Sequence, residues 1–318
     1  MTGTPLDLTP FGPLLGAAGW LYWLVAIVAV VAVLRIRRSR RIRLSLAALV
    51  VAAFLFPQLR ERVIANDKRD EARSKLHESM ALFQERCKSA GEKITRTVSN
   101  VDGVVWMKWR ERYGNEDNFA DQWKLNDPYG RDCGLEDCIA NLLRVTKGAA
   151  LNPEAAQRHG IGYRFVETID PRSGLRYRYS AHLAHNWTQE DIDRRRRESG
   201  LDLPAYEYRF KTERVPIDRF SARYGVTWDD ISTRQDREHW IAGSSLKVVD
   251  LQTDEVIGER IGYMIDRGQG SQAGFRSPWL SAQESACPPF LDPEGKPTRI
   301  GVTTRFVQRV VRQSASEQ

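Results

Sequence analysis

Hydrophobic positions along this chain fall into two regimes. Near the N-terminus they run on without interruption, in AAGWLYWLVAIVAVVAVL (residues 17–34) and in the shorter, proline-bearing LSLAALVVAAFLFPQL (residues 44–59). Eighteen helical residues at about 1.5 Å each reach roughly 27 Å, close to the hydrocarbon thickness of a bilayer. Between the runs lies RIRRSRRIR, with Arg35, Arg37, Arg38, Arg40, Arg41 and Arg43 and no acid. The pattern predicts a transmembrane hairpin of two helices over residues 1–59. Short Lys/Arg-rich loops stay on the cytoplasmic side, so both termini are expected outside the cytoplasm. The first eleven residues, with Asp7 and no base, fit export, and Trp20, Tyr22, Trp23, Phe54 and Phe56 suit interfacial positions. A cleaved signal peptide does not fit, because no positive residue precedes Arg35. One rival remains open. Residues 44–59 reach only about 24 Å, a length common among buried helices. If they do not span, the C-terminal part is cytoplasmic.

Beyond residue 59 the hydrophobic positions become periodic. Residues 60–95 read as one juxtamembrane helix whose apolar stripe (Leu76, Met80, Phe83, Cys87, Ala90, Ile94) follows helical spacing and is expected to dock on the protein's own core. The stretch 101–109 has the Val/Trp content of a strand, and GLEDCIANLLRVT reads as a short helix. GYRFVETI and LRYRYSA alternate on either side of DPRSG, which predicts a hairpin with one wet face. Thr188 and Asp191 form a capping-box pattern ahead of a helix whose arginines, 194–197, are balanced by neighbouring acids. YEYRFKT (206–212) alternates, and SLKVVDL and VIGERIGYMID form a second hairpin around QTDE. Residues 276–287 include a short helix, and TTRFVQRVV is strand or helix. The sum is an α+β domain of antiparallel β hairpins with flanking helices over residues 96–312, followed by a disordered tail at 313–318.

Charge narrows the function. The whole chain carries a net +7, but six arginines and Asp7 give residues 1–57 a net +5, leaving only +2 for the other 261 residues. A nucleic-acid-binding domain concentrates positive charge on its folded part; none is expected here. The four cysteines, Cys87, Cys133, Cys138 and Cys287, all follow the hairpin. That even number fits disulfides in an oxidising compartment, with Cys133 paired to Cys138 across GLED and Cys87 then left to Cys287; four reduced, buried thiols are the alternative. Zinc is not expected from C-x4-C without a second ligand pair.

Candidate chemistry is sparse. His182-x-x-His185 lacks the helical H-E-x-x-H context, no serine sits in G-x-S-x-G, and GQGSQAG (268–274) has its third glycine one place late for a dinucleotide loop and reads as a mobile loop. No catalytic residue, metal or cofactor is predicted. The densest polar-aromatic segment is YGVTWDDISTRQDREHWIAG (224–243). Its Trp228, Asp229, Asp230, Glu238, His239 and Trp240 form the candidate partner-binding set, since aromatic anchors with charged neighbours are what interfaces use. Two further readings stand beside it. Asp229, Asp230 and His239 could perform acid–base work if they converge. Alternatively, both tryptophans are core and Asp230 or Ser232 caps a helix.

The run RYGVTWDDISTRQDREHWIAGSSLKVVDLQTDEVIGERIGYMID, with SPWLSAQESACPP after it, resembles a group of membrane-anchored proteobacterial proteins encoded beside type VI secretion effectors. The resemblance covers roughly residues 205–312 and implies a bacterial inner-membrane protein with a periplasmic domain that acts as an immunity protein against a secreted toxin. An envelope assembly or maintenance factor and a periplasmic hydrolase are the alternatives.

Overall fold

The computed structural model describes residues 12–35, 37, 39–111, 119–130, 132–143, 162–185, 187–200, 208–292, 294–296, 298 and 301–314, without the side chains of 12–19, 43, 183, 185 and 208–210. The chain divides into two compact units, Met1–Lys75 and Leu76–Gln318.

The first unit is helical. Helix α1 (Gly12–Leu34) pairs with the first part of α2 (Arg40–Cys87). The small side chains of Ala26 and Ala47 are buried, and the Tyr22 hydroxyl donates to the Phe54 carbonyl at 2.5 Å with the two rings 5.2 Å apart. Most other apolar side chains here point outward: Trp20 is 82%, Leu49 67% and Phe56 66% exposed. By length and composition α2 is long and apolar enough to cross a membrane. The described apolar stretch of α1, Trp20–Leu34, reaches only roughly 22 Å and is shorter than a span. One helix of spanning length is therefore present among the described residues, where the sequence predicts two. The export reading of residues 1–11 and part of the arginine loop (36, 38 and the side chain of 43) lie outside the described residues.

In the second unit, α2 ends at Cys87 instead of residue 95. A turn at residues 88–90 leads into β1 (Gly91–Ile94), which places Ile94 on a strand opposite Gly258. A mixed sheet follows in the order β1-β9-β8-β7-β3-β4-β5-β6, with β10 (Ala286–Cys287) also on β9. Its strands are β3 (Gly103–Trp106), β4 (Phe165–Ile169), β5 (Arg176–His185), β6 (Tyr208–Pro216), β7 (Tyr224–Asp230), β8 (Ile241–Asp250) and β9 (Glu255–Ile265). The β4–β5 and β8–β9 hairpins form as the alternation predicts, with Ile169 opposite Arg176 and Asp250 opposite Glu255. The expectation of antiparallel hairpins alone needs correcting, because β3 runs parallel to both β4 and β7. Parallel neighbours need a long crossover. The chain supplies one between β3 and β4, which includes α3 (Glu136–Leu142). Val104, Val105 and Trp106 are buried throughout, as a central parallel strand requires.

The main core lies between this sheet and two helices, α3 and α7 (Val302–Val310). Phe306, Val307 and Val310 recur at helical spacing on α7 and are fully buried. A Cβ on Gly258 would come within 2.6 Å of Val310, so glycine lets this helix sit close to the strand. The final segment resolves the strand-or-helix ambiguity as both: α7 turns into β11 (Val311–Gln313), which pairs in parallel with β2 (Val98–Val101). Gln313 is thus structured, while residues 315–318 lie outside the described residues. The last turns of α2 cover a separate patch, with Phe83, Met80 and Cys87 against Ile241, Tyr263 and Ile265.

Two disulfides join Cys133 to Cys138, the pair that the short spacing predicts, and Cys87 to Cys287, the pair that remains. Helix α4 (Gln189–Ser199) carries the full Thr188–Asp191 capping box, and none of its residues is buried.

Candidate functional site

The segment 224–243 builds strand β7, helix α5 (Arg234–Glu238) and the start of β8. Its cap is Thr233, in a reciprocal box with Asp236, and not Asp230 or Ser232. Asp236 is fully buried and also accepts from Arg86 Nε at 2.8 Å, which ties α5 to α2. His239 Nδ1 lies 2.8 Å from the buried Ser79 hydroxyl, a second tie to the same helix.

The six candidate contact residues separate in space. Trp228 is 4% exposed, packed in the main core, with its indole N–H donated to the Lys108 carbonyl at 2.9 Å. Trp240 is 8% exposed and lies 5.2 Å from Trp279, on the short helix α6 (Pro278–Ala282), in a second aromatic core. Both tryptophans are thus core. Asp229 is half-exposed between Lys108 Nζ at 3.1 Å and Lys247 Nζ at 3.6 Å. Asp230 turns to Arg237 Nη2 at 2.6 Å, and Glu238 pairs with Arg234 at 3.1 Å on the surface of α5. Adjacent residues of a strand point to opposite faces. With His239 held by Ser79, the side chains of Asp229, Asp230 and His239 take three separate partners and form no acid–base constellation. Among the described residues, no group of three or more His, Cys, Asp or Glu could hold a metal ion.

The loop after β9, which the sequence reads as mobile, is held by a buried carboxylate. Asp266 accepts the backbone N–H groups of Gly268 at 3.0 Å and Gly270 at 2.8 Å, together with the Arg276 guanidinium. Gln269 Nε2 adds a bond to the His239 carbonyl at 3.2 Å. Gly270, at φ +82°, lies against the Trp240 ring, where a Cβ would collide at 2.3 Å. At the end of this braced loop, Phe275 adopts φ +60° and stands fully exposed. A positive φ is strained for an aromatic residue. Trp123, half-exposed, lies in another loop on the same aromatic core: two residues earlier, the Asp121 carbonyl accepts the Trp279 indole N–H at 2.8 Å.

Buried ion pairs hold the rest of the scaffold. Asp250 is enclosed by Arg223 and Arg96, each with a guanidinium N 2.7 Å away. The hydrogen bonds from Arg223, then from the Gln252 N–H and Arg96, outweigh burial and hold its pKa down at about 2. Arg110 Nη1 reaches Asp132 at 3.1 Å and the Thr303 hydroxyl at 2.9 Å, joining the loop after β3 to the start of α7. Burial pushes the nearby Asp127 carboxyl upward, with the Arg110 charge opposing it, and pushes the Tyr129 phenol up to about 12.

A polar groove of about 420 Å³ opens where the parallel strands β3 and β4 end, lined by residues that no sequence motif connects, among them Trp109, Asp170 and Arg214. Only the fold brings these positions together. No family model, curated protein or solved structure matches this chain. What the structure itself defines is an α+β protein with a mixed sheet, two disulfides and one helix long enough to cross a membrane.

Proposed function

We propose that the chain is a bacterial inner-membrane protein, held by the α1–α2 hairpin with its arginine loop in the cytoplasm, whose periplasmic domain binds another protein. The resemblance of residues 205–312 makes that partner a secreted toxin and this chain its immunity protein. Several features support the reading. Among the described residues, most large apolar side chains of both helices in the first unit are exposed. Two disulfides fit an oxidising compartment.

The observation that carries protein binding is Phe275. A loop fixed by Asp266 and Arg276 holds this ring wholly in solvent at a strained φ, where folding alone gains nothing from it. Rigid exposed aromatics are favoured binding anchors, because little side-chain entropy is lost when they are covered. The contact surface therefore moves from Trp228 and Trp240 to Phe275 and Trp123, with Glu238 and Asp229 as polar candidates on the exposed surface.

The reading predicts a toxin gene beside this one, and the test is co-expression with the periplasm-directed product of that gene. Protection of growth, lost in a Phe275→Ala/Trp123→Ala variant whose melting is unchanged, is the expected outcome. Each anchor is worth about 2 kcal/mol, or about a thirtyfold change in Kd. Absence of both protection and a complex with the wild-type chain contradicts the proposal.

A further inference from the structure

We propose that the groove at the carboxyl ends of β3 and β4 is a binding site for a neutral saccharide. In open sheets with parallel strands, ligands settle in the crevice outside the strands' carboxyl ends, and here β3 and β4 supply such an edge. The volume, about 420 Å³, falls within the range of small-molecule clefts. Strand β3 continues into Trp109 and β4 into Asp170 and Arg172, while β5 adds Tyr179, β6 adds Arg214 and the first turn of α3 adds Glu136.

The chemistry of this lining selects the ligand. Trp109 donates its indole N–H away, to Thr168 Oγ1 at 2.7 Å and the Ile169 carbonyl at 2.8 Å. The ring is thereby fixed, and what it offers a ligand is carbon surface. Arg214 spends Nη1 on Asp170 at 3.2 Å and on the Tyr179 hydroxyl at 3.3 Å. Its Nε and Nη2 have no hydrogen-bond partner among the described residues, while the guanidinium lies 4.7 Å over the Tyr177 ring. The Tyr179 oxygen accepts from Arg214 and keeps its own hydrogen to donate. The Arg172 guanidinium has no partner among the described residues either.

Asp170 and Glu136 balance Arg172 and Arg214, so the described lining carries no net charge. A phosphate or carboxylate ligand meets two acids, and a cationic ligand meets two arginines. An apolar ligand leaves the guanidinium donors desolvated without partners, which costs more than its burial returns. A pyranose ring satisfies all of these terms at once. Its C–H face lies on an indole, and its hydroxyl rim both accepts from arginine and tyrosine and donates to carboxylate.

Isothermal titration of the full chain in detergent with cellobiose, maltotriose and N,N′-diacetylchitobiose tests the assignment. At least one of them is expected to bind, with Arg172→Ala weakening it about tenfold and Trp109→Ala abolishing it. Arg172 has no side-chain partner among the described residues, so its variant is expected to leave melting unchanged and keeps the test valid even if Trp109→Ala unfolds. The proposal is overturned if none of the three binds, if Arg172→Ala binds as tightly as wild type, or if inorganic phosphate or acetate binds as tightly as the sugars.

Discussion

Two stretches of the same helix solve opposite problems. In residues 44–59 of α2, Leu49, Phe56 and Leu59 point outward with 67%, 66% and 54% of their surface exposed. In residues 76–87, Phe83 is 8% exposed, and it packs with Met80 and Cys87 against Ile241, Tyr263 and Ile265. The backbone is the same; what differs is the surface each stretch meets. The later turns meet a sheet, and their edges are pinned by Arg86–Asp236 at 2.8 Å, Ser79–His239 at 2.8 Å and the Cys87–Cys287 disulfide. Among the described residues, the earlier turns meet α1, through Tyr22 and Phe54, and are otherwise largely exposed. Covering a Leu or Phe side chain is worth about 1.5–3 kcal/mol. Ten large apolar residues between Ile42 and Ile64 left in water therefore represent a cost of the same order as the typical net stability of a domain, about 5–15 kcal/mol. The comparison teaches that apolar content alone does not separate core from membrane. What separates them is whether the chain builds a partner surface.

Replacing the same residue type in both stretches should sharpen this contrast most. Phe83→Ala removes a ring from a packed site and is expected to cost about 3–5 kcal/mol, read as a lower melting temperature in detergent. Phe56→Ala, in the exposed stretch, should stay within about 0.5 kcal/mol of wild type in the same measurement. Equal losses at both positions would mean that the first stretch is also covered by protein.

A smaller effect separates the two regions by pH. The Asp250 carboxylate belongs to the sheet domain, and its pKa falls from about 3.9 in an unfolded chain to about 2 when folded. A depressed pKa gives stability that is fully present above about pH 4 and is lost as pH falls towards about 2. Melting of the domain should therefore drop across that window, and Asp250→Asn should flatten this part of the profile while lowering stability at neutral pH. An unchanged acid limb in the variant would show that another carboxylate controls it.

Much of the fold was legible because it depends on local pattern. The β4–β5 and β8–β9 hairpins, the Thr188 capping box and the stripe Met80-Phe83-Cys87 each follow from spacing that one element imposes on its own residues. The parallel pairing of β3 with β4 and β7 was not legible, since it joins strands separated by long connections. In the candidate site a signal was present but outweighed. Tyr224, Val226 and Trp228 alternate with Gly225 and Thr227 and are all buried, a strand pattern that places Trp228 inside. The charged residues beside it, Asp229 and Asp230, carry the opposite signal of a surface. Phe275 could not be found from the sequence at all: its exposure results from Asp266 and Arg276 closing the loop, a contact ten residues apart with no periodicity.

In the proposed arrangement, residues 44–59 lie in a membrane and the sheet domain is periplasmic, opposite the cytoplasmic arginine loop. Reporter fusions along the chain test it most directly, using an enzyme active only in the periplasm. Fusions after residue 100 should be active, and a fusion at residue 39 should be inactive. An inactive reporter after residue 100, with a cytoplasmic reporter active at the same position, would contradict the two-span arrangement and place the domain in the cytoplasm.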